Sequence, residues 1–356
     1  MSALATARIT LFSHADALAA LARGLDASPF QSAGWVEGWM AAHGTLANLR
    51  VVEVAVEGGS WLLPLEITQS AGAKLGRKIG GGHASFLTAA RLGQPRPLKR
   101  EDLMRAARAA GVDALILTDC PPTWGGVTCL APGFPAAPDI ARGTALSPGV
   151  LASLYAGEPG KKLRAKARKL AALGTLEARF SQRDQANSVL TALLNWKAEQ
   201  FRAMGISDPF DSPQIGRFLR NGIDTGGPLR LFALFLDQRP IAGMVLAQAG
   251  GHASGMMTAY APEEAIARCG PGDVLVMRLL EALAAEGVTG FDLGVGDARY
   301  KRLHAPEAIA LVDVLVPASL KGAAVVLAYR LARAAKGRIK RNSGLFDAIK
   351  ALRARF

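Results

Sequence analysis

Apolar and polar positions recur with helical or alternating periods along most of the 356-residue chain, and the two periods divide it into blocks. Between Phe30 and Gly44 the run FQSAGWVEGWMAAHG places Trp35 and Trp39 four residues apart, on one face of a predicted helix. LRVVEVAVEGG and SWLLPLEIT follow, strand-like stretches parted by Gly58-Gly59 in the manner of an antiparallel hairpin. A helix from about Lys99 to Ala110 stops at Gly111 and feeds the strand VDALILT, which ends on Cys120-Pro121-Pro122. From there to Pro148 the chain is rich in proline and glycine, which predicts an irregular connection between domains.

The second block opens with a helix from Pro159 to Leu173, striped by Leu163, Ala167, Leu170 and Leu173. A strand, TLEARF, leads to a longer helix in which Leu190, Leu193, Leu194, Phe201 and Met204 recur at helical spacing. Three strands come next, LRLFALFL, IAGMVLAQA and ASGMMTAY, joined by turns too short for a parallel crossover, so an antiparallel meander is predicted. Gly270-Pro271-Gly272 then opens a helix of about four turns, the strand TGFDLGVG follows it, and ALVDVLVP closes the block. This order predicts an α+β fold with mixed, mainly antiparallel sheets, in two domains at 1–150 and 151–318 with a helical tail over 319–356 that breaks near Gly337 and again at Asn342-Ser343-Gly344.

Charge changes the picture. The net charge is +13, but Lys161 to Lys169 holds six basic residues and no acidic one, and Lys321 to Phe356 holds ten against Asp347 alone. Setting both aside leaves 26 basic residues against 28 acidic ones, a nearly neutral body, whereas a nucleic-acid binder spreads its cations over a recognition face. DNA is therefore not an expected partner. Three scattered cysteines point to reduced thiols rather than a disulfide framework, and five histidines in no metal-ligand spacing predict no metal. With no signal peptide or membrane-length apolar run, the expected location is the cytoplasm.

Two segments could carry chemistry. The Gly270-Pro271-Gly272 turn is either a tight strand-to-helix connection or an anion site, in which backbone groups of Gly270, Pro271, Gly272, Asp273 and Val274 meet a phosphate at a helix start. Further on, Asp292, Tyr300 and Lys301 bring a carboxylate, a phenol and a cation within ten residues, enough to take a proton, give one and neutralise an anion. Lys197 and Gln200, three apart on the long helix, can face one cleft as acceptor contacts. Cys269 precedes the turn without a histidine partner, and no GxSxG is present, so a covalent nucleophile is not predicted.

These residues carry a resemblance. NWKAEQFRAMGISDPF with Trp196, Lys197, Gln200, Gly205, Asp208 and Phe210, then Ile241 to Gly243, Ala259-Tyr260, Pro271-Gly272, Asp292, Gly294, Gly296, Tyr300 and Lys301 resemble the GNAT-superfamily acyltransferases associated with cellulose and exopolysaccharide biosynthesis. That group is itself similar to the peptidoglycan-bridge aminoacyl transferases, and FQSAGW and LLPL extend the likeness into the first block. The sequence departs from the family in having Gly270 where a serine is usual, Ala261 after the tyrosine of the third strand, and Val295 between the late glycines.

The resemblance implies tandem GNAT-like domains, the first degenerate and without a donor site. It implies acyl-CoA as donor substrate, no permanent cofactor, direct attack by an amine or hydroxyl of a small-molecule or saccharide acceptor, and pantetheine received between the strands around Ala253–Tyr260 and Gly290–Leu293. An aminoacyl-tRNA donor, or a non-catalytic accessory role in polysaccharide biosynthesis, is the alternative. The tail would dock Leu320, Ala324, Leu327, Leu331, Ala334 and Ala335 on the second domain, or lay them on an anionic membrane surface.

Overall fold

The computed structural model describes residues 8–13, 15–224 and 227–341. The first part of the chain forms β1 (Arg8–Ser13), α1 (Ala15–Ala22), α2 (Ala33–His43), β2 (Leu49–Val56), β3 (Gly59–Ser70), β4 (Ala73–Arg77), β5 (Ala90–Gly93), α3 (Arg100–Ala109), β6 (Ala114–Cys120), and the small pair β7 (Thr123–Trp124) and β8 (Val127–Thr128). The middle forms β9 (Ala141–Ala145), α4 (Pro148–Leu154), α5 (Gly157–Ala171), β10 (Leu176–Phe180), α6 (Arg183–Ala203), α7 (Pro213–Asp224), β11 (Leu229–Leu236), β12 (Arg239–Ala249), β13 (His252–Tyr260), α8 (Glu264–Ala267), α9 (Pro271–Ala285), β14 (Gly290–Val295), α10 (Arg299–His304) and β15 (Glu307–Ile309). The chain then adds β16 (Val312–Pro317) and α11 (Leu320–Arg341).

Two compact units result, one of residues 1–139 with 310–356 and one of residues 140–309. This differs from a simple succession divided at 150 and 318. β16, read from sequence as the last strand of the second block, pairs antiparallel with β6 in the first sheet, where Val314, Leu315 and Val316 are buried. The proline-rich connection holds structure of its own: β7 and β8 pair with each other, and β9 enters the second sheet between β14 and β15. The tail begins as a single helix that continues through Gly337, while Asn342-Ser343-Gly344 lies outside the described residues.

Each unit is built on one plan. In the first, the sheet order is β1-β2-β3-β4-β6-β16, antiparallel except where β4 meets β6 in parallel over Leu75↔Ala114, Gly76↔Leu115 and Arg77↔Ile116, with α3 between them in sequence. In the second, the order is β10-β11-β12-β13-β14-β9-β15, with β13 and β14 parallel and α9 as their connection. The predicted meander of β11, β12 and β13 is present, with antiparallel registers throughout. Alternation fixes its two faces. Phe232, Leu234, Met244 and Leu246 share a core with Val274, Leu275 and Leu279 of α9, while on the other face Gly243 lies under Leu193 of α6.

Candidate active site

The parallel contact between β13 and β14 covers only His252↔Gly290, Ala253↔Phe291 and Ser254↔Asp292. Beyond it β14 continues against β9, whereas β13 stays with β12 and takes a register shift at Val245/Leu246. The two strands therefore fork, and from Gly255 to Tyr260 β13 has no paired strand on its β14 side among the described residues. Such a fork exposes backbone donors and acceptors that an extended ligand can pair with.

Asp292 sits at the base of the fork, fully buried. His252 Nε2 lies 2.8 Å from Oδ2, the Ser254 hydroxyl donates to the same oxygen, and the Gly294 N–H donates to Oδ1 at 2.8 Å. Partners from both strands thus meet on this carboxylate where the parallel pairing ends. The buried Lys301 ammonium donates to Val295 O at 2.7 Å and Gly294 O at 3.3 Å, tying α10 to the exit of β14. Tyr300, beside it on α10, is half-buried against the core, and burial pushes its phenol pKa up.

At the donor end, α9 begins at Gly270, whose φ of 66° is left-handed backbone that favours glycine. The five backbone groups expected to hold a phosphate are not equivalent. The Gly270 N–H is bonded to Ala267 O at 3.1 Å and Pro271 has none, which leaves the N–H groups of Gly272, Asp273 and Val274 as the donors at the helix start. Asp273 is ion-paired to Lys166 of α5. Its other oxygen lies 3.6 Å from Nε2 of buried His304, whose Nδ1 is 2.9 Å from the Tyr155 hydroxyl. His304 and Lys166 together hold the Asp273 carboxyl down at about 2.

On the α6 side, Lys197 Nζ donates to Thr258 O of β13 at 3.1 Å and lies 3.5 Å from Gln200 Oε1, so these two do face one place, against the unpaired length of β13. Burial pulls the Lys197 ammonium pKa down, with Asp208 opposing it. Lys166, His304, Tyr155, His252 and Ser254 were not predicted. Only Lys166 had a sequence signal, the basic run, and that run does not say which of its six cations turns inward.

The first unit repeats the short parallel pairing, between β4 and β6. At the start of α3, buried Asp102 accepts the Lys99 N–H at 2.9 Å and hydrogen bonds from Arg96 and Arg105, at the helix position that Asp273 holds in α9. Burial alone would raise Asp102, but these bonds outweigh it and hold the carboxyl below its usual range. Past the short β4/β6 pairing, buried Lys78 stands 3.7 Å from Asp119, and Arg333 of α11 reaches Asp313 at 2.7 Å.

Residues 160–302 match the acetyltransferase (GNAT) domain family. These residues form a GNAT-type domain. Its solved structural neighbours include the C-terminal domain assigned to a lysylphosphatidylglycerol synthetase of Agrobacterium fabrum, with a TM-score of 0.54 and 10% identity over 88% of this chain and 95% of that one. FemX gives a TM-score of 0.55 and 11% identity over 86% and 96% of the two chains. A conserved protein of unknown function from Bacteroides thetaiotaomicron gives 0.52 and 7% over 86% and 99%. At these identities the likeness is one of fold, and it spans both units. No curated protein matches the sequence. Within this domain Gly270 leaves room that Lys166 fills: a Cβ there would stand 3.0 to 3.1 Å from Lys166 Cδ, Cε and Nζ.

Proposed function

We propose that the second unit transfers an acyl group from acyl-CoA to an amine or hydroxyl by direct attack on the thioester, in polysaccharide or cell-envelope biosynthesis. The observation that carries this is the β13/β14 fork with the α9 start at its side: an extended pantetheine can pair with free strand groups while its phosphates meet orphan N–H donors. Backbone N–H groups of β13 beyond Ser254 steady the oxyanion, and Tyr300 protonates the leaving thiolate. Lys197 and Gln200 border the acceptor side. Asp292 and Lys301 serve by holding the fork open. The first unit takes no donor in this reading.

Calorimetric titration with acetyl-CoA and longer acyl-CoAs is expected to give saturable heat, and absence of binding at millimolar concentration would overturn the donor. A second donor, aminoacyl-tRNA, is favoured by one observation. Lys161, Lys162, Arg164, Arg168 and Lys169 of α5 are all exposed, a basic face of the kind that phosphate backbones bind. Charged tRNA binding in place of acyl-CoA selects it, and binding of neither selects the accessory role.

The same proposal places the protein at an anionic membrane surface through α11. Among the described residues no helix is long and apolar enough to cross a membrane. α11 packs on its own unit with Val325, Val326 and Tyr329 against Leu75, Ile116 and Leu315. Gly322 lies so close that a Cβ would fall 1.8 Å from Asp113 O. The stripe expected to dock is the one left outside: Leu320, Leu327 and Leu331 are 91%, 59% and 63% exposed. At helical spacing, exposed Lys321 and Arg330 lie on opposite sides of that stripe, roughly 100° and 80° from it. Apolar side chains flanked by cations suit the boundary of an anionic bilayer, where each charge contributes about 1 kcal/mol. Wild-type protein is expected to float with phosphatidylglycerol vesicles at low salt and to be released by high salt. Leu327→Glu with Leu331→Glu alters only exposed positions and is expected to abolish flotation, and equal recovery of this variant would remove α11 from the contact.

A further inference from the structure

The start of α9 holds more polar machinery than a helix cap requires. His304 is completely buried, and its Nε2 has no hydrogen-bond partner, although it points at Asp273 Oδ1 from 3.6 Å. Its other nitrogen is fixed by the Tyr155 hydroxyl, itself in the core. A buried unpaired nitrogen is costly unless some state of the protein satisfies it. Asp273 has its second oxygen on Lys166, and both side chains reach solvent, at 24% and 37% exposure. The lysine stem runs across Gly270, where a Cβ would press on it at 3.0 to 3.1 Å.

We propose that Lys166 is a phosphate ligand of the donor, held in waiting by Asp273, and that Asp273 closes on His304 when Lys166 leaves it. A half-exposed ion pair contributes little net stability, so a phosphate can displace it at small cost. The ammonium is a compact donor with three N–H groups, suited to an anion already bound by the N–H groups of Gly272 and Asp273. Moving Lys166 would otherwise strand the Asp273 carboxylate beside an incoming anion. The His304 N–H, brought from 3.6 Å to hydrogen-bond distance, supplies the missing partner, with Tyr155 keeping the ring in the tautomer that donates from Nε2. The device favours donors that carry phosphate: a ligand without one leaves Lys166 on Asp273. This deepens the donor assignment above and rests on it, since it names a side chain for the donor's phosphates.

The test compares coenzyme A, pantetheine, which lacks the phosphates, and inorganic pyrophosphate by calorimetry on the full chain. Lys166→Met is expected to raise the Kd for coenzyme A about tenfold and leave pantetheine unchanged, as loss of one charge-assisted phosphate contact requires. Lys166→Arg keeps the charge and is expected to stay within a few-fold of wild type. Asp273→Asn frees the lysine and is expected to tighten coenzyme A, and adding Lys166→Met to it must still cost about tenfold. Equal affinity of wild type and Lys166→Met for coenzyme A overturns the proposal and leaves the donor assignment standing, as does an equal loss for coenzyme A and pantetheine. Lys166-dependent binding of pyrophosphate without coenzyme A binding upholds the phosphate ligand and overturns the donor. Binding of neither by wild type overturns both.

Discussion

Replacing Asp292 by alanine is expected to destabilise the second unit by about 3 kcal/mol or more, the usual cost of removing one member from a buried, fully bonded charged group. Its carboxylate is the common acceptor for His252, Ser254 and the Gly294 N–H, all at the point where β13 and β14 separate. Truncation leaves the Ser254 hydroxyl and the Gly294 N–H buried without that acceptor, and it leaves a void where the carboxylate stood. Asparagine nearly preserves the shape but presents an amide NH2 in place of one oxygen, so one of the two sides must lose its bond. Urea denaturation monitored on the second unit checks this, with both variants compared with wild type at equal salt. The stability loss should come with a loss of acyl transfer, because the same bonds set where the fork opens. A midpoint unchanged for Asp292→Ala would show that the three donors find other acceptors and that Asp292 does not clasp the two strands.

The local pattern carried the elements that local chemistry decides. The β11–β13 meander was legible because Asp237-Gln238-Arg239-Pro240 and Gly250-Gly251 leave no length for a crossover. The α9 start was legible from Gly270-Pro271-Gly272. What the pattern could not carry was pairing between distant segments. β9 and β16 are short strands whose partners, β14 and β6, lie well over a hundred residues away, and nothing in ARGTA or VDVLVP says which sheet edge each will meet. α11 shows the same limit on a helix. Hydrophobicity picks out Leu320, Leu327 and Leu331 as the inner face, yet the inner face holds Gly322, Val326, Tyr329 and Arg333. Close approach at Gly322 and a charged bond from Arg333 to Asp313 override leucine content there.

The candidate residues show a related division. Asp292 and Lys301 stand out in sequence for their reactivity, and in the structure one collects N–H and O–H donors and the other collects carbonyls, within six residues of β14's end. A fork in a sheet leaves strand ends without ladder partners, and buried ions are an effective way to satisfy them. The first unit solves the same problem with Lys78, Asp119, Asp313 and Arg333. Charged residues near a fork are thus expected on structural grounds alone, and a chemical role has to rest on a group that the fork does not consume.

Tyr300 is such a group. Burial pushes the pKa of its phenol up, so the hydroxyl keeps its proton at neutral pH and has one to give. It stands on α10, directly after the fork, held there by the Lys301 tie to Gly294 and Val295. Tyr300→Phe removes one oxygen and keeps the ring that packs on the core, so stability should change by less than about 1 kcal/mol. If the phenol protonates the departing thiolate, kcat should fall about 10²-fold, the usual scale of general-acid assistance, with the Kd for acyl-CoA unchanged. Thiols of lower pKa need less help in leaving. An acyl donor with an electron-poor thiol should therefore recover most of the lost rate in the variant while accelerating wild type little. Single-turnover measurement isolates the chemical step. A kcat for Tyr300→Phe equal to wild type, with chemistry limiting in both, would assign proton delivery to solvent and leave Tyr300 as packing.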